Sequence, residues 1–150
     1  MQLGGTIKNV FAIGAGLCEG LNLGDNAQAA LLTRGLAEMT RIGVASGGRR
    51  ETFMGLSGVG DLIVTCYSRH SRNQTVGRRL AEGKSLQEIL DALGMVAEGV
   101  PNTLSVYEIA RKLGVRTPLI DAVYSVLYES KPPMEALVEL MTRDPRPELD

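Results

Sequence analysis

Apolar residues recur at intervals of three and four along most of the chain, which is the spacing of amphipathic α-helices. In the first such segment, residues 3–21, the apolar run over residues 10–13 is also compatible with a strand that leads into a glycine-rich turn. We favour a helix, because no later segment offers such a strand a partner. Its apolar face would carry Ile7, Val10, Phe11, Ala15 and Cys18.

Residues 25–47 predict a long helix that is apolar around much of its circumference, a pattern typical of a central, mostly buried helix. Asp25 is expected to be its N-cap, because Gln28 follows three residues later in a capping-box pattern. The pair Gly47-Gly48 is expected to end the helix. Residues 49–55 are interpreted as a short connector.

Capping residues, glycines and prolines delimit the remaining helices. The expected starts are a Ser71 N-cap, a Ser85–Glu88 capping box and a Thr117-Pro118 pair, and the expected ends are Gly94 and Gly114. One helix is predicted to begin near Gly58. The others are predicted from Ser71 to about Ala81, from Ser85 to Leu93, from the end of an extended segment (residues 95–98) to Leu113, from Thr117 to Tyr128 and from Met134 to Thr142. The tail from Asp144 is expected to be disordered.

The length of 150 residues suits one domain with a hydrophobic core, and no segment shows sustained alternation of period two. The predicted fold class is therefore all-α, a single globular multi-helix domain over residues 1–150. The net charge of −1 favours neither nucleic acid nor an anionic membrane as a partner. No apolar run reaches the roughly 20 residues of a membrane span. Because the start of the chain shows no signal-peptide pattern, a cytoplasmic location is expected.

The cysteines and the histidine do not have the spacing of metal ligands. Cys18 and Cys66 have no paired spacing, and with His70 as the single histidine no metal site is expected. Both cysteines are interpreted as reduced and buried.

Residues 14–20, GAGLCEG, nearly match the Gly-x-Gly-x-x-Gly loop of dinucleotide-binding proteins. However, the third glycine falls one position late, Glu19 would bring a negative charge toward a pyrophosphate, and no βαβ unit follows. Close contact between helices is the favoured interpretation of these small residues.

Lys8 is unusual because it lies inside an apolar helical segment, where a desolvated ammonium is costly. Either its side chain reaches solvent along the helix surface, or it lies in a cleft that lowers its pKa toward neutrality and lets it donate and accept protons. The pattern leaves both open. Asp61, in the segment GVGDL, is interpreted first as a helix cap. A carboxylate there could also orient a lysine or bind a substrate hydroxyl.

Residues 68–73, SRHSRN, collect arginine, serine and asparagine where a helix is predicted to start. Free N–H groups and the helix dipole favour an anion there, and a guanidinium can bind phosphate through two hydrogen bonds. A capped helix with surface arginines would show the same pattern. His70 is interpreted as solvated, and Glu98 carries no signal by itself, because acids are common at helix starts.

Four segments, in this order, resemble the bacterial-type NAD(P)-dependent glycerol-3-phosphate dehydrogenases: LGGTIKNVFAIGAG, GDNAQAALLTRGLAEMTRIG, ETFMGLSGVGDLIVTCYSRHSRN and MVAEGVPNT. The resemblance covers essentially the whole chain. In the last segment Ala97 stands where relatives often carry a bulkier apolar residue, which puts no catalytic group in doubt.

The resemblance implies the all-helical C-terminal domain of a 6-phosphogluconate-dehydrogenase-like oxidoreductase, without its N-terminal Rossmann-like domain. It implies that Lys8 is the catalytic acid and base and also binds substrate. The other residues implied to contact glycerol 3-phosphate or dihydroxyacetone phosphate are Asp61, Ser71, Arg72 and Asn73. The residues implied to face NAD or NADP are Arg72, Val96 and Glu98. No metal is implied.

The implied partners are the substrate and the chain's own dinucleotide domain, and a homodimer is left open. The full enzyme would supply precursor for glycerophospholipid synthesis, whereas this part alone is expected to be inactive. Two alternatives stay open: a non-catalytic helical module that supports an oligomer or binds an anionic metabolite, and a related hydroxyacid or sugar-acid dehydrogenase whose substrate presents a different group to Arg72. The choice between NADH and NADPH would belong to the other half.

Overall fold

The structure is a computed structural model that describes residues 3–68 and 70–142. Within these ranges every regular element is a helix, which confirms the predicted all-α class. The helices are α1 (Leu3–Gly20), α2 (Gly24–Ala45), α3 (Arg50–Met54), α4 (Leu56–Tyr67), α5 (Arg72–Ala81), α6 (Leu86–Leu93), α7 (Gly99–Leu113), α8 (Pro118–Tyr128) and α9 (Pro133–Thr142). None of the described helices is both long and apolar enough to cross a membrane. The predicted tail from Asp144 lies outside the described residues.

Helix α1 runs through the middle of the domain. Every residue from Val10 to Cys18 is buried, and α1 packs against α2, α4, α5, α7 and α8. The helix predicted over residues 3–21 is therefore confirmed. The prediction that α2 is the central helix is wrong, because residues 24–30 of α2 are all exposed or half-buried. Small residues around α1 allow neighbours to approach it from several sides, whereas α2 is buried mainly from Leu31 onward.

Two glycines bring the backbones of α1 and α5 into direct contact. A Cβ added to Gly16 would lie 2.2 Å from the carbonyl oxygen of Gln74, and one added to Gly77 would lie 2.2 Å from the carbonyl oxygen of Ile13. Side chains larger than hydrogen are excluded at such distances. The interpretation of residues 14–20 as a close helix contact agrees with this packing, which fixes the start of α5 beside α1.

Helix α2 begins one residue earlier than predicted, and Asp25 is not its N-cap. Leu23 holds the N-cap position, and Asp25 lies in the first turn, where its negative charge interacts favourably with the helix dipole. The turn from α1 uses left-handed backbone at Asn22 and Gly24, which lets the helix start at Gly24. The Gln28 amide does not reach back to cap the helix but donates to the carbonyl of Ala15, 3.1 Å away on α1.

The connector predicted over residues 49–55 contains the short helix α3, and α4 begins at Leu56 rather than near Gly58. Tertiary packing explains α3, because Phe53 lies against Gly43 of α2 so closely that an added Cβ there would lie 2.1 Å from the ring. No local pattern reveals this contact.

Most of the predicted capping signals are correct. Ser71 and Ser85 accept hydrogen bonds from the N–H groups of Gln74 and Glu88, at 3.3 and 3.2 Å. Gly94 and Gly114 end α6 and α7 in the left-handed conformation. These elements follow from local sequence because the capping group and its partner lie within one turn.

The start of α8 shows a cap that the sequence does not reveal. Pro118 occupies the first turn as predicted, but the Thr117 hydroxyl donates to Asp121 and makes no capping bond. The cap comes from Glu38 of α2, whose carboxyl oxygens accept from the N–H groups of Leu119 and Ile120 at 2.6 and 3.1 Å. Glu38 is fully buried, and this burial raises its pKa from 4.5 to about 8.

Candidate active-site cleft

A cleft of about 320 Å³ lies where α1 meets the start of α5 and the loop before α7. It is lined by Asn9, His70, Arg72, Asn73, Val96, Ala97 and Glu98. Four of the residues singled out from sequence, Arg72, Asn73, Val96 and Glu98, therefore share one cleft. The close crossing of α1 and α5 is what brings these separate segments together.

Lys8 of α1 and Asp61 of α4 form an ion pair, and neither residue is among those that line this cleft. Lys8 Nζ lies 3.1 Å from Asp61 Oδ2, and the two side chains are 20% and 69% exposed. The cap interpretation of Asp61 is wrong, because Asp61 lies beyond the first turn of α4. A pair with so exposed a carboxylate adds at most about 1 kcal/mol to stability. Its notable property is that it holds a mostly buried lysine next to Asn9, which lines the cleft.

The N-terminus of α5 forms one wall of the cleft. Ser71 caps the helix, and the N–H groups of its first turn have no carbonyl partner inside the helix. The Arg72 guanidinium donates to the carbonyl of Val96 at 3.2 Å, which keeps its positive charge at the cleft. An anion in this cleft would therefore meet both a guanidinium and a helix N-terminus.

Asn73 connects the starts of α5 and α7. Its Oδ1 accepts a hydrogen bond from the N–H of Gly99 at 2.8 Å, so its amide NH₂ group is the part that remains as a donor. A Cβ at position 99 would lie 2.7 Å from Asn73 Oδ1, which explains why glycine follows Glu98. Asn73 is thus oriented by the protein, as a binding residue requires.

Gln74 is a buried amide that sequence reasoning missed. Its Nε2 donates to the carbonyls of Thr65 and Cys66, at 3.1 and 2.8 Å, in the last turn of α4. Its side chain is only 1% exposed. Gln74 therefore attaches α4, which carries Asp61, to α5, which carries Arg72. Nothing near Gln74 in the sequence indicates this contact between helices.

Asn9, Thr65 and His70 are the other residues near the site that received no role from sequence. Asn9 follows Lys8, lines the cleft and could have been noticed for that position alone. Thr65 lies one turn after Asp61, and its hydroxyl donates to the Asp61 carbonyl at 2.7 Å. His70 is exposed, in line with its interpretation as solvated, and it lies on the cleft wall.

The described residues contain no group of three or more histidine, cysteine or acidic side chains placed to hold a metal ion. The two cysteines are buried and free. Burial raises the pKa of the Cys18 thiol to about 11 and that of Cys66 to about 12. Both thiols therefore stay protonated near neutral pH and are poor nucleophiles.

The sequence family described as NAD-dependent glycerol-3-phosphate dehydrogenase C-terminus matches residues 1–138. A glycerol-3-phosphate dehydrogenase (NAD(P)+) of Syntrophotalea carbinolica is 54% identical over 150 residues, which are 100% of this chain and 45% of that protein. The crystal structure of glycerol-3-phosphate dehydrogenase from Coxiella burnetii superimposes with a TM-score of 0.89 at 44% identity, covering 94% of this chain and 43% of that one.

The glycerol-3-phosphate dehydrogenase structure from Saccharomyces cerevisiae gives a TM-score of 0.81 at 36% identity, over 93% of this chain and 41% of that one. The chain thus spans about half the length of the relatives it matches, 45% in the Syntrophotalea protein. The family match extends over nearly all of the chain, and the relatives share both its sequence and its helical fold. The chain therefore belongs to the family of NAD-dependent glycerol-3-phosphate dehydrogenase C-terminal domains.

Proposed function

We propose that this chain is the substrate-binding and proton-transferring part of an NAD(P)-dependent enzyme that interconverts sn-glycerol 3-phosphate and dihydroxyacetone phosphate. The observation that carries the proposal is the Lys8–Asp61 pair, 3.1 Å apart, together with Asn9, the residue after Lys8, which lines a cleft walled by Arg72 and the start of α5. Such a site combines a proton-transferring amine with a place for a phosphate.

Lys8 acts as the acid and base in this proposal. Oxidation of the C2 hydroxyl of glycerol 3-phosphate removes one proton and one hydride from the substrate, and a nicotinamide cofactor, when bound, would supply the hydride acceptor. Lys8 in its amine form accepts the hydroxyl proton while the C2–O bond becomes a carbonyl. In the reverse direction its ammonium form polarises the ketone and returns the proton. Asp61 holds the amine in place through the 3.1 Å contact.

The substrate phosphate binds at the start of α5. Arg72 supplies a guanidinium, the first turn of α5 supplies N–H groups, and Ser71 and Asn73 supply a hydroxyl and an amide. Since Asn73 Oδ1 is engaged by Gly99, its NH₂ group turns toward the bound substrate. All these groups favour an anion with several acceptor oxygens over a neutral sugar.

Val96 and Glu98 form the edge of the cleft that would face the cofactor. Val96 is 68% exposed and Glu98 is also exposed, so an apolar surface and a carboxylate lie side by side. A carboxylate is a suitable acceptor for ribose hydroxyls, and Arg72 beside it can also meet a nucleotide phosphate. The residues present thus fit a nucleotide that approaches from outside this domain.

The partner proposed to bring that nucleotide is a dinucleotide-binding domain that docks on α4. Leu56, Ile63 and Tyr67, spaced by seven and four residues, share one face of α4 and are 91%, 44% and 50% exposed. Contiguous exposed apolar residues mark interaction surfaces. The proposal includes a cytoplasmic location and leaves a homodimer open.

The test is a chimeric enzyme in which the chain replaces the matching 150 residues of the Syntrophotalea carbinolica dehydrogenase. We expect NAD(P)H-dependent reduction of dihydroxyacetone phosphate at a rate comparable with the parent enzyme. Hydroxypyruvate, which offers a carboxylate in place of the phosphate, is the matched substrate and should be turned over far more slowly. A preference for hydroxypyruvate would indicate a hydroxyacid dehydrogenase. No turnover of either compound by a folded chimera would favour a non-catalytic module.

A further inference from the structure

A second cleft, of about 420 Å³, lies at another end of the domain. It is formed by the last turns of α2, the start of α3 and the loop between α7 and α8, and it is lined by Thr40, Arg41, Val44, Ala45, Arg50, Gly114, Val115 and Arg116. None of these residues belongs to the candidate active site. The proposed function therefore gives this cleft no role.

Arginine is the only ionisable residue type among the described residues that line this cleft. Arg41, Arg50 and Arg116 come from three different segments, and none of the lining residues carries a carboxylate. The Arg41 guanidinium donates to the carbonyl of Arg116 at 3.0 Å, which fixes one wall against another. Arg41 also interacts with the Glu38 carboxyl, so Arg50 and Arg116 are the guanidiniums whose positive potential favours an anion in this cleft.

The remaining walls of the cleft are apolar. Val44, Ala45 and Val115 supply them, and Val44 is 43% exposed even though it lies at the end of a mostly buried helical stretch. A purely inorganic anion would leave this apolar surface in contact with water. The combination of guanidiniums and short aliphatic side chains matches an anion that also carries a hydrocarbon part.

The second cleft is well separated from the first. Helix α7 begins at Gly99, which contacts Asn73 of the candidate active site, and ends at Leu113, just before Gly114 of the second cleft. A helix of 15 residues is about 22 Å long, so a ligand in the second cleft cannot touch the substrate.

We propose that this second cleft binds a small amphiphilic anion, with a phosphate or carboxylate head among the three arginines and a short aliphatic tail against Val44 and Val115. Arg50 and Arg116 supply the hydrogen bonds to the head, and Arg41 keeps the wall in place through the Arg116 carbonyl. This binding is independent of the dehydrogenase activity and can be measured on the chain alone.

The test is a titration of the ¹⁵N-labelled chain with octyl phosphate, octanoate, inorganic phosphate and octyl glucoside, followed by amide shifts in NMR spectra. We expect saturable shifts around Val44 and Val115 with octyl phosphate or octanoate, at lower concentration than with inorganic phosphate and with no saturation by octyl glucoside. Whichever of the two amphiphiles binds more tightly identifies the head group.

Three variants separate a built site from general charge attraction. Arg50→Ala and Arg116→Ala should each weaken binding by about tenfold or more, since each removes a charge-assisted hydrogen bond. Arg49→Ala removes the same charge from the adjacent exposed position, which does not line the cleft, and should change the affinity little. Equal losses in Arg49→Ala and Arg50→Ala, or shifts that never saturate in the unaltered chain, would overturn the proposal.

Discussion

Substitution of Gly77 by alanine would place a methyl group inside the backbone of α1. The added Cβ would lie 2.2 Å from the carbonyl oxygen of Ile13, 2.7 Å from the amide nitrogen of Leu17 and 2.9 Å from the carbonyl carbon of Gly16. Every one of these neighbours is backbone, so no side chain can rotate away. Ordinary van der Waals contact begins at 3.4 Å, so α1 and α5 would have to separate by about 1 Å.

The expected cost follows from this displacement. Overpacking a close-packed core costs about 1–3 kcal/mol, and the upper part of that range applies because the obstacles are backbone atoms. The higher helix propensity of alanine would by itself raise the free energy of unfolding by roughly 0.5–1 kcal/mol. We therefore expect Gly77→Ala to lower the free energy of unfolding by about 2 kcal/mol. It should also raise KM for dihydroxyacetone phosphate in the chimeric enzyme, because the start of α5 moves away from α1.

The assay is urea unfolding followed by circular dichroism, with Gly60→Ala as the matched control. Gly60 also lies within a helix, and a Cβ added there meets nothing within 4 Å. The control should be stabilised slightly, by roughly 0.5–1 kcal/mol. If Gly77→Ala unfolds at the same urea concentration as the unaltered chain, then backbone contact between α1 and α5 at Gly77 does not exclude a side chain, and the reasoning is wrong.

Three further predictions concern buried polar groups. Gln74→Met keeps the side-chain volume but removes the donor from two carbonyls in the last turn of α4, through one part-buried and one buried hydrogen bond. It should lower the free energy of unfolding by about 1–3 kcal/mol and, in the chimera, raise KM; unchanged urea midpoints would contradict this. The pKa of Glu38 is raised to about 8 in the folded chain, so the folded state keeps a proton that the unfolded state loses above about pH 4.5, and stability should fall as the pH rises from 4.5 to 8. Urea midpoints at pH 5, 7 and 9 should show this slope in the unaltered chain and a smaller one in Glu38→Gln, and equal slopes would refute the assignment. Cys18 and Cys66, with pKa values raised to about 11 and 12, should react with a thiol reagent at pH 8 only on unfolding, and rapid labelling of the native chain would contradict their burial.

Features that depend on neighbouring residues in the sequence could be predicted, and features that depend on contacts between distant segments could not. The serine caps at positions 71 and 85 were found because donor and acceptor lie three residues apart. The cap at the start of α8 was missed because Glu38 lies 81 residues before Leu119. The same reason explains the wrong prediction that α2 is the central, mostly buried helix, since a pattern of apolar residues does not show which parts of a helix its neighbours cover.

The same distinction between local and distant contacts applies to the candidate site. The cluster of Ser71, Arg72 and Asn73 indicated an anion site from its local pattern at a helix start. The orientation of a lysine is one role that the sequence leaves open for Asp61. The sequence pattern does not show that Lys8, 53 residues away, is that lysine, because apolar periodicity does not show how two helices are aligned. Gln74 was missed because an amide in a helix is usually solvated, and only the packing of α4 on α5 buries it.

Removal of the Lys8 amine from the chimeric enzyme tests whether this lysine transfers the proton. We expect Lys8→Ala to lower kcat by about 10²–10⁴-fold, the range typical of a lost acid or base, and we expect a small primary amine in the buffer to restore part of the rate. Lys84→Ala, which removes an exposed lysine on another surface, should leave kcat unchanged. A folded Lys8→Ala enzyme with undiminished kcat would show that Lys8 is not the acid and base.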